Sequence, residues 1–352
     1  MSTELVLMKK ILLWLLVCWF VALAGCRRVA QSDVPPTAVT QSAVSVFVAE
    51  SHSATPLAST ATSSSAPPLS TAQGAWKRPL LYQIEGKGAS SYLFGTIHLP
   101  DRRLDTFPPE LRSAIDQSDV VYTEIPLDEA SQLALAPRLV LPRGQTLETV
   151  LPESLYRRLN DTFAQQAIPF APFERMKPWA VSVQVAVLDR LTTVALKKPV
   201  DALIHEQAIQ AGREVRALET VEEQISIFER LSRKEQVELL QSTLEYRDSV
   251  RQSGRDALEE LLQAYLAGDT ETILKLVHEA YDPQNALSRK LMKQVFSDRN
   301  KSMSQRIAAE LRTRSDLRLF FAVGSGHLLG DDGIVARLQQ QGFRLIPMAP
   351  GT

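Results

Sequence analysis

One stretch decides the fold class of this chain: Arg318-Leu-Phe-Phe-Ala-Val-Gly-Ser-Gly-His-Leu328. Its apolar and aromatic run is typical of a buried β-strand, and the Gly-rich turn after it places a histidine beyond the strand end. The same Gly-x-x-His-Leu arrangement follows an apolar strand at Phe94-Gly-Thr-Ile-His-Leu99. Because ligands in open α/β sheets bind beyond the carboxyl ends of strands, the repeat predicts that His98 and His327 converge on one metal ion or one substrate.

The segments around these two stretches predict the rest of the fold. Further strands are expected over 80–84, 92–97, 120–125, 214–218 and 343–347. Thr106 is expected to cap a helix that runs to about residue 118, and a short helix is expected over 334–341. The middle of the chain has helical spacing over 153–167, 174–196, 200–211, 221–251, 256–267, 270–279 and 283–314. These patterns predict an α/β fold whose central sheet is built from N- and C-terminal strands, with a large helical insertion.

Two carboxylates occupy positions like those of the histidines. Glu124 ends the apolar run at 120–123, and Glu219 follows the run at 215–218. A charge at such a position is costly unless it is paired or ligated. Two His and one or two Glu suit a divalent metal whose open position activates water. Each residue also has a simpler interpretation, since a strand-end His can be structural and a strand-end Glu can be a salt-bridge partner or helix cap.

Composition excludes several other classes of protein. Lys and Arg number 39 against 40 Asp and Glu, a balance that argues against a protein devoted to nucleic-acid binding. The two cysteines, Cys18 and Cys26, lie close to the N-terminus, which argues against a disulfide scaffold, a zinc ribbon or a buried catalytic thiol. No nucleophile elbow, Walker loop or dinucleotide-binding glycine fingerprint is present in the sequence.

The first 75 residues predict export and a membrane tether. Lys9 and Lys10 precede an apolar run of about 13 residues, the layout of a signal peptide. The run ends in Leu23-Ala-Gly-Cys26, which resembles the bacterial lipobox, so residues 1–25 are predicted to be cleaved and Cys26 acylated. An ordinary signal anchor with an incidental cysteine is the alternative. Arg27 follows the cysteine, and by resemblance to the sorting rules of lipoproteins the absence of Asp at that position favours the outer membrane, facing the periplasm.

A linker and one folded domain are predicted to follow. Residues 26–75 form the lipidated Cys and a flexible linker, since 20 of the 25 residues in 51–75 are Ser, Thr, Ala or Pro. Residues 76–352 are predicted to form the folded domain.

The predicted domain resembles the TraB/GumN family, which includes the Tiki-like metalloproteases of animals. The stretches that match in order across about residues 80–346 are Phe94-Gly-Thr-Ile-His98, Val120-Val-Tyr-Thr-Glu124, Lys177-Pro-Trp179, Asp201, Leu218-Glu-Thr-Val-Glu-Glu-Gln224, Asp298-Arg-Asn300 with Met303, Val323-Gly-Ser-Gly-His327, and Asp332-Gly333. An ordered set of this kind is far more specific than any single motif.

The resemblance implies a fold related to erythromycin esterase and the ChaN-like haem-binding proteins. It also implies metal-dependent peptidase chemistry. Carried over residue by residue, His98, Glu124 and His327 would form the metal or catalytic centre, and Glu219 and Arg299 would support it. The expected cofactor is Mn, Co or Zn. Glu124 would serve as ligand or general base, and Arg299 would stabilise a developing oxyanion.

Two functions remain open on the sequence. The first is a lipid-anchored, metal-dependent hydrolase of the cell envelope, with a peptide or protein substrate and no nucleic-acid partner. The second is a non-catalytic envelope protein that binds haem, iron or a peptide signal on the same scaffold.

Overall fold

The computed structural model describes residues 76–86, 88–128, 131, 135–279 and 282–349. The predicted signal peptide, Cys26 and the Ser/Thr/Ala/Pro-rich linker all lie outside these residues. None of the helices in the described part of the chain is both long and apolar enough to cross a bilayer.

The described residues alternate between strands and helices. The strands are β1 Leu81–Glu85, β2 Ser91–Thr96, β3 Val120–Thr123, β4 Glu214–Ala217, β5 Leu319–Gly324 and β6 Arg344–Pro347. The α-helices are α1 Pro109–Asp116, α2 Leu147–Val150, α3 Glu153–Ala164, α4 Pro178–Ala186, α5 Leu191–Leu196, α6 Val200–Gln210, α7 Val221–Glu229, α8 Arg233–Gln252, α9 Ala257–Ala267, α10 Thr270–Glu279, α11 Ala286–Met292, α12 Asp298–Thr313, α13 Ser325–Leu328 and α14 Ile334–Gln340. A π-helical turn over Lys293–Ser297 joins α11 to α12.

The strands form one six-stranded sheet in the order β4-β3-β5-β2-β1-β6. Strands β4, β3, β5 and β2 are mutually parallel, and β1 pairs antiparallel with both β2 and β6. Parallel neighbours need long crossovers, which the helices between them supply. The predicted α/β class is confirmed, and strands from both ends of the described region lie side by side in the sheet.

Strands β2 and β5 are buried at every position, as expected for parallel strands covered on both faces. On one face Phe94 packs against Phe320, with ring centroids 6.2 Å apart, and both belong to the main core with Trp76. On the opposite face, Phe321 stacks on Tyr122 at 4.9 Å within a second hydrophobic cluster. The carboxyl ends of β2 and β5 are therefore held at adjacent, fixed positions.

The helices on the main-core face pack around a buried central helix. Every residue of α4 is buried, and α4 packs along α8. A helix that is hydrophobic all round belongs in the middle of a protein, not on its surface. Trp179 of α4 stacks on Phe228 of α7 with ring centroids 5.4 Å apart.

Two predicted long helices are in fact interrupted. The continuous helix predicted over 221–251 is wrong, because α7 ends at Glu229 and Ser232 caps the new helix α8. The Ser232 amide donates to Glu235 Oε2 at 2.7 Å, and Ser232 Oγ accepts from the Glu235 amide at 3.3 Å. Similarly, the predicted helix over 174–196 is divided by a 3₁₀ turn at Leu188–Arg190.

Two local predictions near the site also need correction. Thr106 is not a helix cap, since α1 starts at Pro109 with Pro108 in the cap position and no side-chain cap bond. The prolines are tolerated there because the first amides of a helix have no partner within it. His327 lies in the one-turn helix α13, not in an open Gly-rich turn, and Gly324 is both the last residue of β5 and the N-cap of α13.

Candidate functional site

The four parallel strands deliver four chemically active side chains to one edge of the sheet. His98 lies two residues after β2, Glu124 directly after β3, and Glu219 two residues after β4. His327 lies three residues after β5. All four are at most 6% exposed. The prediction that these strand ends meet follows from parallel pairing, since the carboxyl ends of parallel strands lie along one edge.

Arg299 connects the two glutamates. It lies in the first turn of α12, directly after the π-helical turn. Arg299 Nη2 donates to Glu124 Oε2 at 2.5 Å and to Glu219 Oε2 at 2.7 Å, and Arg299 Nε donates to Glu219 Oε2 at 2.9 Å. A buried guanidinium with charge-assisted bonds to two carboxylates is strongly held in place. Arg299 therefore belongs to the same buried cluster as the two glutamates.

Gln224 supports the same pair of carboxylates from helix α7. Gln224 Nε2 donates to Glu124 Oε2 at 3.2 Å and to Glu219 Oε2 at 3.0 Å. The N-terminus of α7 is closed by a capping box, in which the Thr220 hydroxyl accepts from the Glu223 amide and Glu223 accepts from the Thr220 amide. Because Gln224 is one residue beyond this box, the cap determines where its amide lies.

His98 is oriented by Asp201, in the first turn of α6. His98 Nδ1 lies 2.9 Å from Asp201 Oδ1, and His98 Nε2 lies 3.8 Å from Glu124 Oε1. An ionised carboxylate only accepts hydrogen bonds, so the proton is assigned to Nδ1 of His98. A carboxylate that fixes the tautomer of a histidine in this way is a common support for a histidine ligand.

His327 is oriented by Asn300 and Arg299. Its Nδ1 lies 2.6 Å from Asn300 Oδ1, and its Nε2 lies 3.0 Å from Arg299 Nη1. Because a guanidinium can only donate, Nε2 is the acceptor and Nδ1 carries the proton. Burial, followed by the charge of Arg299, lowers the pKa of His327 to about 3. His327 is therefore a neutral imidazole at physiological pH.

Glu124 is held on both of its oxygens. The Gly324 amide donates to Glu124 Oε1 at 2.6 Å, and the same oxygen lies 3.9 Å from His327 Nε2. Burial alone would raise the pKa of Glu124, but the positive charge of Arg299 outweighs it and helps to hold the pKa well below its usual range. Glu124 is therefore ionised.

The buried centre has more negative than positive groups. Among the described residues, the carboxylates of Glu124, Glu219 and Asp201 face the guanidinium of Arg299, which leaves a formal charge of −2 before any charge on His98 is counted. An uncompensated buried charge costs several kcal/mol, of the order of ~3 to 5 when one partner of an ion pair is lost. A divalent cation is the ligand whose charge would offset this imbalance.

The described residues do not contain a preformed metal site. No group of three or more His, Cys, Asp or Glu side chains within them is arranged to hold an ion. Glu124 Oε1 lies 3.8 and 3.9 Å from the two Nε2 atoms, whereas ligand atoms around a tetrahedral zinc lie about 3.4 Å apart. His327 Nε2 also accepts from Arg299. An ion would need small inward shifts of the ligands and loss of that hydrogen bond.

Space for such a rearrangement exists at Gly324. A Cβ built on this residue would lie 3.1 Å from both Glu124 Oε1 and His98 Nε2, and 3.5 Å from His327 Cδ2. The missing side chain of Gly324 therefore leaves room between the three candidate ligands. Two imidazoles and one carboxylate, together with the negative charge, are chemically suitable ligands for a divalent ion. The distances between their ligand atoms are longer than those of a bound ion.

Two buried hydroxyls beside Gly324 have no hydrogen-bond partner within the described residues. They belong to Thr96, which pairs with Gly324 across β2 and β5, and to Ser325, which follows it. An unsatisfied buried hydroxyl costs about 1–3 kcal/mol, so a water or a substrate group is the expected partner.

The structure assigns roles that the sequence did not reveal. Three of these residues lie in stretches that carried the family resemblance: Asp201, Gln224 and Asn300. The spacing of residues in the sequence did not predict that they contact the centre. Tyr265 of α9, whose hydroxyl donates to the Gly95 carbonyl at 2.7 Å, had no signal at all. Cys26, the predicted lipidation site, lies outside the described residues.

Comparison with known proteins identifies similar chains. The model of the TraB/PrgY/gumN family matches residues 80–347. Metalloprotease TIKI2 of Danio rerio is 27% identical over 298 residues, an alignment that covers 72% of this chain and 58% of the relative. Metalloprotease TIKI2 of Xenopus tropicalis is 28% identical, with 72% and 57% covered, and Metalloprotease TIKI1 of Homo sapiens is 26% identical, with 72% and 59% covered.

The alignments therefore span less than three-fifths of the length of these relatives. No solved structure matches the chain at a significant level.

Proposed function

The chain belongs to the TraB/PrgY/gumN family, and from this premise we propose that its buried strand-end cluster is the active centre of a metal-dependent hydrolase of the peptidase type. Family membership confirms the resemblance found in the sequence. The names of the similar animal proteins support protease chemistry at identities of 26–28%. Because those proteins are longer than the matched region, activity and substrate are proposed for this chain, with a peptide or protein as the substrate class.

The observation that carries the proposal is the negative charge of the buried centre. Three carboxylates and one guanidinium surround two imidazoles of which at least His327 is neutral. Such a cluster attracts a divalent cation more readily than an anionic or apolar ligand. His98 Nε2, Glu124 Oε1 and His327 Nε2 would hold the ion, which we propose to be Mn, Co or Zn. When bound, the ion would polarise a peptide carbonyl and lower the pKa of a water molecule towards 7.

The other residues of the centre would orient these groups. Asp201 and Asn300 keep Nδ1 of each histidine protonated and so present Nε2 to the centre. Glu124 would act as a ligand or as the base that accepts a proton from the attacking water. Glu219 accepts from the guanidinium of Arg299, and Gln224 donates to Glu219 and Glu124, so these contacts fix the relative positions of Arg299 and Glu124.

We propose that Arg299 also stabilises the negative charge that develops during the reaction. Arg299 Nη1 donates to His327 Nε2 at 3.0 Å, while Nη2 and Nε are engaged by the glutamates. If ion binding withdraws His327 from this bond, Nη1 becomes available to donate to the oxygen on which negative charge develops. The same residue would then hold the resting centre together and stabilise the transition state.

The related fold is part of the proposal. The parallel order of the four strands that carry the centre is compatible with the predicted relationship to erythromycin esterase and the ChaN-like proteins. We propose that relationship on the strength of the family resemblance.

Metal content is the test of the proposed centre. The chain from Trp76 onward should co-purify with, or after chelation reload, about one divalent ion per molecule, measured by mass spectrometry of the metal. The double variant His98→Ala/His327→Ala should lose the ion and the peptidase activity while keeping its circular dichroism spectrum. His278→Ala is the control, because His278 is exposed in the last turn of α10, and it should bind metal like the wild type.

A folded wild type that stays metal-free after reloading would contradict the proposal. If that protein instead gave a Soret band on titration with haem, the non-catalytic binding function would replace it.

We also propose that Cys26 anchors the protein to the outer membrane, facing the periplasm. The lipobox-like Leu23-Ala-Gly-Cys26 and the uncharged segment 51–75 support this arrangement. Cys26→Ser should release the protein from the membrane fraction, and unchanged fractionation would exclude the anchor.

A further inference from the structure

A cavity of about 270 Å³ lies among the helices of the main-core face, apart from the strand-end centre. It is lined mainly by the end of α4, the second half of α8 and the start of α9. Leu258 lines the cavity, and Tyr265 of the same helix contacts the Gly95 carbonyl beside the centre. Seven residues of α-helix separate the two, a distance of roughly 10 Å along the axis.

The inner wall of this cavity contains a buried arginine with unsatisfied donors. Arg247 is 6% exposed, and its Nη2 donates to Asp189 Oδ1 at 2.7 Å. Its Nε and Nη1 have no hydrogen-bond partner within the described residues. Buried guanidinium groups are almost always paired, so two such donors on one of them indicate a partner beyond the described residues.

Arg247 shares its carboxylate partner with a second arginine. Asp189 Oδ1 accepts from Arg247 and also from Arg251 Nη1 at 2.9 Å, so one carboxylate serves two guanidinium groups. The other charged residues of the wall are already paired elsewhere. Arg255 donates to Glu260 Oε1 at 2.8 Å and to Glu279 Oε2 at 3.3 Å, and Asp256 accepts from Arg190 at 2.8 Å. Among the described residues Asp189 is therefore the acceptor of Arg247, and it is shared with Arg251.

The rest of the wall is apolar, and the mouth is open. Ala186, Val250, Ala257 and Leu258 line the cavity together with the charged groups. Arg251, at its rim, is 48% exposed, so solvent reaches the cavity. A ligand that fits must combine an anionic group for the guanidinium with an apolar body for this wall.

We propose that this cavity binds a small organic carboxylate with an apolar body, with its carboxylate on Arg247. Arginine binds carboxylates through charge-assisted hydrogen bonds, which are stronger than hydrogen bonds between neutral groups. The site is separate from the strand-end centre, and its occupation does not depend on the function proposed for that centre.

N-acetyl-leucine is a suitable probe, and calorimetric titration of the full chain in detergent is the measurement. The wild type should bind N-acetyl-leucine at one site. N-acetyl-leucinamide, which lacks the carboxylate, should bind about ten- to a hundredfold more weakly, the range expected for loss of a charged hydrogen bond. Inorganic phosphate, which lacks the apolar body, should also bind more weakly than N-acetyl-leucine.

Two variants and a control locate the site. Arg247→Met should weaken binding by about the same ten- to hundredfold factor. Val250→Phe, which fills the cavity and keeps the Arg247–Asp189 pair, should abolish binding even if Arg247→Met proves unstable. Arg158→Met removes an arginine that pairs with Asp248 of α8 outside the cavity, and it should bind like the wild type.

Absence of binding to the wild type would overturn the proposal and would leave water as the partner of Arg247. Equal binding of N-acetyl-leucine and its amide, or tighter binding of phosphate, would overturn the assigned ligand class. Unchanged binding by Val250→Phe would overturn the location.

Discussion

At Gly324 the backbone amide donates to Glu124 Oε1 at 2.6 Å, while the φ angle of −53° is one that any residue can adopt. Glycine is required at this position for space and not for backbone conformation. The two glycines of the repeated motif differ in this respect from each other. Gly324 borders the candidate ligands, whereas a Cβ on Gly95 would meet Leu80 Cβ and the Ser325 backbone at 3.2 Å in the packed core.

Alanine substitutions should separate these two roles. In Gly324→Ala the new methyl lies 3.1 Å from His98 Nε2 and Glu124 Oε1, so metal affinity or activity should fall by about ten- to a hundredfold with little change in melting temperature. Gly95→Ala is the matched change in the core, and it should cost about 1–3 kcal/mol of unfolding free energy. Metal titration and urea denaturation measure the two effects. Wild-type metal binding by Gly324→Ala would show that the space beside it is not used.

His327 should make stability depend on pH. Its pKa is about 3 in the folded protein because of burial and the nearby Arg299, against 6.5 for the free side chain. Between these two pH values the unfolded chain binds a proton at this histidine more readily than the folded protein does. The contribution of His327 to the unfolding free energy is therefore fully present above about pH 6.5 and decreases as the pH falls towards 3. The slope from this one group is at most ~1.4 kcal/mol per pH unit.

Urea denaturation of the chelated protein at pH 7.5, 6.5 and 5.5 measures this slope. His327→Gln, which cannot titrate, should reduce it clearly. His205→Gln is the control, because burial lowers the pKa of His205 in the same direction but His205 is only about half buried. If both variants kept the full wild-type slope, the assignment of the pH dependence to His327 would be wrong.

At the scale of elements, short irregularities place the groups of the centre. The π-helical turn at Lys293–Ser297 ends where α12 begins, and it sets the rotation of α12 that brings Arg299 and Asn300 to the sheet edge. Helix α7 is placed by its capping box and by Glu223, which also pairs with Arg306 of α12. Helix α7, which follows β4, and helix α12, which precedes β5, are thus tied together beside the centre.

Loss of the α7 cap should therefore affect both stability and the centre. Thr220→Ala leaves the Glu223 amide without its side-chain acceptor and should lower the unfolding free energy by about 1 kcal/mol. Activity should fall as well, because Gln224 follows the cap directly. Thr220→Ser keeps the hydroxyl and should remain close to the wild type in both assays. Equal urea midpoints for the two variants would mean that the cap does not hold α7.

At the scale of the whole molecule, the packing of Trp76 sets the start of the stable core. Its ring lies 5.3 Å from that of Tyr265 and 6.2 Å from that of Phe94, and the next amide, that of Lys77, donates to the Leu266 carbonyl at 2.7 Å. This tryptophan therefore joins α9 to the face of strand β2.

Removal of residues 26–73 should leave the melting temperature unchanged, since that segment is rich in Ser, Thr, Ala and Pro and has few large apolar side chains. Trp76→Ala should cost about 3–5 kcal/mol, and Trp76→Phe, which keeps a ring at the site, should cost less. Thermal and urea unfolding of the three proteins measure the difference. A large loss on removing 26–73 would contradict the predicted boundary.

Much of the centre was accessible from the sequence because strand ends are a local signal. Apolar runs that stop at a glycine or a charged residue marked His98, Glu124, Glu219 and His327, and parallel pairing brought them together. The partners on helices were harder to predict. Whether Asp201 faces the centre depends on the rotation of α6, which packing decides.

The sequence by itself determined the α/β class, the strand ends that carry the chemistry and the family, because these follow from local patterning and from ordered motifs. Only the tertiary structure decided that Arg299 accommodates two glutamates and His327 at once, and that the resting centre has no preformed metal site. It also decided that Arg247 is buried beside a cavity with two donors that have no partner among the described residues. These properties depend on ångström-scale separations between residues distant in sequence, which packing sets and residue spacing does not encode.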